Sequence, residues 1–99
     1  MVKEIQVKEL AAKIRRGQSK VLDVREAEEY KEGHIPGAIN LPLSQLASRY
    51  QELDKAGHYY IVCQSGGRSA QACAFLDDKG YIVTNVAGGT AAWLDRLEM

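Results

Sequence analysis

Tyr59-Tyr60-Ile61-Val62-Cys63-Gln64-Ser65-Gly66-Gly67-Arg68-Ser69 runs from an apolar stretch into a cysteine, a glycine pair and an arginine. Tyr59 to Val62 is aromatic and β-branched, which predicts a strand. It shows no polar alternation, as expected of a strand covered on both faces at the centre of a parallel sheet. Arg68 to Lys79 has helical composition and meets Gly80, a stop signal. The stretch therefore reads as strand, tight loop, helix. Ligand sites in parallel sheets lie beyond the carboxyl ends of the strands, so the loop after Val62 is where chemistry is expected.

The same alternation extends in both directions. Val7, Leu10, Ala11 and Ile14 share one helical face, predicting a helix over 7–16 that ends at Gly17. Val21, Leu22 and Val24 predict a buried strand, and Glu26 to Lys31 a short helix closed by Gly33. Ala38 to Leu41 predicts a short strand between Pro36-Gly37 and Pro42. Leu43, Leu46, Ala47 and Tyr50 are helix-spaced, and Tyr81 to Val86 reads as the last strand. Thr90, Trp93, Leu94 and Leu97 predict a closing helix, with Trp93 in the core. Strands alternating with helices predict an α/β chain of three layers, with a mostly parallel four- to five-stranded sheet covered on both faces.

Composition narrows the function. The 99 residues, 45% hydrophobic and 26% charged, are expected to form one domain spanning 1–99. Thirteen basic residues balance thirteen acidic ones, so there is no basic excess for nucleic acid. No apolar run approaches the roughly 18 residues of a membrane span, and Met1 to Leu10 has no leader-like stretch. The expected setting is the cytoplasm, where thiols stay reduced. Neither nucleotide nor metal binding is expected. No phosphate-loop motif occurs, and His34, His58, Cys63 and Cys73 lack ligand spacing. His34 reads as a turn residue and His58 as an exposed residue before a strand. No cofactor is called for.

Cys63 is the candidate nucleophile. Alone, a cysteine at a strand end is a small buried hydrophobe. Here Gly66 and Gly67 let the backbone curl, and a helix start adds unpaired N–H groups. Successive amides in such a curl form an anion nest, which lowers a thiol pKa and also suits a persulfide. Gln64, Ser65, Gly66, Gly67, Arg68 and Ser69 are the expected substrate-binding residues, with Arg68 as a cation for an oxyanion. Cys73 sits within the following helix and reads as a core thiol rather than a resolving partner.

These residues resemble the rhodanese-like (thiosulfate sulfurtransferase) domains. The likeness is carried by Val21-Leu22-Asp23-Val24-Arg25, by Glu29-Tyr30 with Gly33-His34-Ile35-Pro36-Gly37-Ala38-Ile39-Asn40, by the Cys63 loop, and by Gly88-Gly89-Thr90-Ala91-Ala92-Trp93. The resemblance implies a persulfide on Cys63, loaded by a donor such as thiosulfate and unloaded by cyanide or a protein thiol. It implies bracing roles for Asp23 and Arg25; the plainer expectation pairs Arg25 with Glu28 or Glu29. Thiosulfate-preferring members often carry a basic residue after the cysteine, where this chain has neutral Gln64. A protein persulfide or polysulfide donor is therefore open. Two alternatives stand beside this reading. One is a cysteine phosphatase or arsenate reductase of the same fold, whose loop holds one residue more than the four between Cys63 and Arg68. The other is a non-catalytic binding module.

Overall fold

Five short strands form one sheet in the computed structural model, which describes residues 2–17 and 19–99. They are Lys3–Gln6 (β1), Lys20–Asp23 (β2), Ile39–Asn40 (β3), His58–Val62 (β4) and Ile82–Ala87 (β5). All pairings are parallel, in the spatial order β1-β5-β4-β2-β3, so the strand that leads to Cys63 is central. Four helices connect them: Val7–Arg15 (α1), Ala27–Lys31 (α2), Leu43–Arg49 (α3) and Gly67–Asp78 (α4).

The two-residue period of β4 sends its side chains into two cores. Tyr59, Ile61 and Cys63 pack with Leu46 of α3 and with Ala72, Cys73 and Leu76 of α4. Tyr60 and Val62 pack with Leu10 of α1 and Val86, and Tyr30 of α2 leans on this second cluster. Each face is thus closed by helices, as the three-layer expectation required. Leu22, Ile61 and Leu76 are wholly buried.

This layout also creates the site. From β4 the chain passes through α4 to β5 on one side. From β2 it passes through α2 to β3 on the other. Neighbouring strands that depart in opposite directions leave a crevice at their carboxyl ends. Asp23 pairs in register with Val62, so that crevice brings Asp23 and Arg25 beside Cys63.

Two elements differ from expectation. β1 has no counterpart among the expected strands. Lys3, Glu4 and Gln6 are exposed and only Ile5 packs inward, so this edge strand carries no apolar run. It is held by backbone pairing with β5, from Lys3 opposite Thr84 to Gln6 opposite Ala87. The closing helix is reduced to one 3-10 turn, Thr90–Ala92. Beyond it the chain is drawn to Gly33-His34, where His34 and Glu98 exchange backbone bonds of 2.9 and 2.8 Å. A segment this short is marginal as a helix, and pairing satisfies its backbone elsewhere. Leu94, expected on the helix face, is 96% exposed. Trp93 is half-buried against the second core, with Leu97 beside it. Among the described residues no helix is long and apolar enough to cross a membrane.

Candidate active site

Cys63 follows the last residue of β4 and is almost completely buried. The chain then curls through Gln64 and Ser65 to Gly66, which caps α4 with φ of 116°. That left-handed conformation is one that glycine adopts without penalty. The curl turns the amide of Gly66 back onto Cys63 Sγ at 3.0 Å. The amides of Ser65 and Ser69 also act on the sulfur. Buried Ser69 places its hydroxyl 3.4 Å from Sγ, accepting from the thiol, while donating to the carbonyl of Gly66 at 3.1 Å.

Burial by itself pushes the Cys63 thiol up. Once the sulfur ionises, the Ser69 hydroxyl can turn its proton from the Gly66 carbonyl to Sγ; with the amides of Ser69, Gly66 and Ser65 it outweighs burial and brings the thiol below its ordinary value. The first turn of α4 adds the positive end of the helix dipole. Cys73 shows the contrast. It is equally buried on α4, but burial dominates there, and with Asp77 and Cys63 nearby it is pushed up to about 12. Both cysteines are free thiols.

A second loop clamps the first from outside. Thr90 N–H donates to the carbonyl of Cys63 at 2.9 Å, and Ala91 N–H to that of Gln64 at 3.0 Å. Their approach depends on Gly89, with φ of 59° and ψ of −156°. A Cβ there would overlap the carbonyl oxygen of Cys63 and lie 2.8 Å from that of Gln64. With their carbonyls held outward, Cys63 and Gln64 leave the following amides free to turn toward the sulfur.

Asp23 and Arg25 form the floor. Asp23 is fully buried and accepts from Arg25 through Nε at 3.1 Å and Nη2 at 2.9 Å, and through its backbone N–H at 2.9 Å. Arg25 also donates to the carbonyl of Gly33 at 2.8 Å and reaches Gln64 Oε1 at 3.4 Å. The expected pairing of Arg25 with Glu28 or Glu29 is therefore corrected. A wholly buried carboxylate two residues away needs the cation more than exposed Glu28 or half-buried Glu29 does.

Arg68 lies in the first turn of α4 and forms a two-pronged ion pair with Glu29 of α2 at 2.7 and 2.9 Å. The guanidinium brings the Glu29 carboxyl down to about 2.

Comparison with known proteins shows the family. Residues 6–96 match the family model described as the rhodanese-like domain. The chain belongs to the rhodanese-like family. A protein of Allochromatium vinosum named Sulfurtransferase is 39% identical over 95 residues, covering 94% of this chain and 89% of that one. YtwF of Bacillus subtilis is 40% identical over 93 residues, covering 93% and 90%. The crystal structure of SSP1007 from Staphylococcus saprophyticus superposes with a TM-score of 0.93 at 34% identity, covering 99% and 100%.

Within this rhodanese-like domain, the fold gathers every expected site residue at one end of the sheet. Gln64, Ser65 and Gly67 are exposed at the rim, Gly66 and Arg68 are half-buried, and Ser69 lies beneath the sulfur. Two contributors were not foreseen as such. The Gly89-Thr90-Ala91 clamp had its signal in a second glycine pair after a strand. Glu29, as partner of Arg68, had no local signal, because the two meet only through tertiary packing.

Proposed function

We propose that this chain is a sulfurtransferase that carries sulfane sulfur as a persulfide on Cys63. The observation that carries this reading is the amide of Gly66, 3.0 Å from a buried Cys63 Sγ in a loop closed around one atom. Such a nest favours a thiolate and then its persulfide, whose outer sulfur is also anionic. The relative named Sulfurtransferase and the rhodanese-like fold support the same reading.

In the loading step the Cys63 thiolate attacks the outer sulfur of the donor. A sulfur–sulfur bond forms on Cys63 and the donor's own sulfur–sulfur bond breaks. From thiosulfate the leaving group is sulfite; from a hydropersulfide it is a thiolate. In unloading, cyanide or an acceptor thiolate attacks the outer sulfur, and Cys63 leaves as thiolate. The loop Gln64 to Ser69 holds the transferred sulfur throughout, while Asp23 and Arg25 keep the loop's floor rigid. The donor is thiosulfate or a protein or small-molecule persulfide. The 99-residue domain works as one unit in the cytoplasm and needs no cofactor.

Intact-mass analysis after incubation with thiosulfate or a hydropersulfide is the test. A gain of one sulfur atom on Cys63, reversed by cyanide, is expected. Cys63→Ser should abolish loading, because a hydroxyl cannot form the persulfide, and Cys73→Ser should retain most of it. Rapid hydrolysis of an aryl phosphate with no sulfur on Cys63 would favour a phosphatase instead.

A further inference from the structure

Two cations stand at the Cys63 loop, and neither is free. Arg25, which touches Gln64, spends its fork on buried Asp23. Arg68, within the loop, has both terminal nitrogens on the carboxylate of Glu29. Glu26 is close enough to act on Arg68 as well. Three carboxylates thus face two guanidinium groups, one pair on the buried floor and the other at the rim, and the residue after the nucleophile is neutral Gln64. The positive character left for substrate is that of the loop amides, led by the Gly66 N–H at 3.0 Å from the sulfur.

Thiosulfate fits this arrangement poorly. Its outer sulfur suits the nest, but its sulfonate end carries charge into a rim whose cations are occupied. A hydropersulfide donor places the same outer sulfur in the nest and needs no second cation. We propose that Glu29 is a specificity-determining residue, which closes on Arg68 to withhold it from a donor's sulfonate and so turns the site toward hydropersulfides. This rests on the sulfurtransferase reading above. With such a donor, Cys63–S⁻ attacks the outer sulfur of R–S–SH, giving Cys63–S–SH and R–S⁻, so no oxidant or reductant is consumed.

Glu29→Gln isolates the charge. The amide oxygen of glutamine still accepts from Glu26 N–H, a bond Glu29 now makes at 3.2 Å, so the start of α2 is kept. Loading of Cys63 is followed by intact mass with thiosulfate and with an alkyl hydropersulfide whose alkyl group is uncharged. In Glu29→Gln the ratio of kcat/KM for thiosulfate to that for the hydropersulfide should rise roughly three- to tenfold, mainly through a lower KM for thiosulfate. The rise should shrink as salt is added, because a freed surface cation is screened. It should vanish in Glu29→Gln with Arg68→Ala. In wild-type background, Arg68→Ala should change the ratio less than about twofold, since the cation is already withheld. An unchanged ratio in folded Glu29→Gln, a rise that survives in the double variant, or a large fall in Arg68→Ala alone overturns the assignment of Glu29. Absence of sulfur on Cys63 with either donor in wild type and variants overturns the sulfurtransferase reading itself, and this inference with it.

Discussion

Two cysteines ten positions apart are almost equally buried and have opposite acidities. Burial raises both, and the difference is the company each keeps. Cys63 has the Gly66 amide on its sulfur, with the Ser69 hydroxyl and the amides of Ser65 and Ser69 close by, whereas Cys73 has apolar neighbours and the charge of Asp77. Iodoacetamide at neutral pH should therefore modify Cys63 and spare Cys73, with a reaction midpoint for Cys63 below the ordinary thiol value of about 8.5. Peptide mapping across a pH series on wild type and Cys73→Ser checks this; a midpoint at or above that value would mean the amides do not act as a nest. The linkage has a definite sign. The folded-state thiol ionises at lower pH than the unfolded one, so the stability it contributes is fully present above the unfolded value. That stability is lost as pH falls through the folded value.

At the scale of elements, the site is two strand-end loops locked together. One follows β4 and curls inward at Gly66; the other follows β5 and presses on it through Gly89. The Thr90 and Ala91 amides open a 3-10 turn and would lack partners there, so the carbonyls of Cys63 and Gln64 satisfy them. Gly89→Ala should force the loops apart, because a left-handed conformation with extended ψ is strained for alanine and its Cβ has no room. A shift of about an ångström at the nucleophile is enough to lower persulfide loading about 100-fold. Stopped-flow loading, with circular dichroism to confirm folding, measures the effect. Wild-type rates in a folded Gly89→Ala protein would show that the second loop has no part in positioning.

Across the whole molecule, Asp23 and Arg25 tie distant parts of the chain to the crevice. Arg25 joins the end of β2 to Gly33 and to Gln64. Asn40 of β3 bonds the carbonyls of both Asp23 and Arg25 at 2.9 Å. Asp23→Ala leaves a guanidinium buried without its counter-charge, and should cost about 3–5 kcal/mol. That is a large share of the roughly 5–15 kcal/mol that stabilises a typical domain. Replacing the pair together by apolar residues, Asp23→Leu with Arg25→Met, should cost less than the single change, because no orphan charge remains. Urea denaturation of the three proteins decides it. A double variant weaker than Asp23→Ala would mean that the hydrogen bonds of the Arg25 side chain to Gly33 and Gln64 outweigh the ion pair.

What the sequence determined by itself was whatever rests on neighbours along the chain. The apolar run Tyr59 to Val62 is too uniform for an edge, and its central place in the sheet follows from that. Glycines next to Cys63 announced the curl, and helix spacing in 7–16 announced α1. Four short motifs between Val21 and Trp93 carry the resemblance to the family to which the chain belongs. Tertiary structure decided the rest, because its energetics lie between residues far apart. β1 is a strand only because β5 offers its edge, and the closing segment gave up its helix for a pairing with His34. Arg68 looks like a free cation in the sequence, and it becomes an occupied one only where α2 brings Glu29, 39 residues earlier, within 2.7 Å. A charge's availability is set by its nearest counter-charge, and for Arg68 only the fold supplies one.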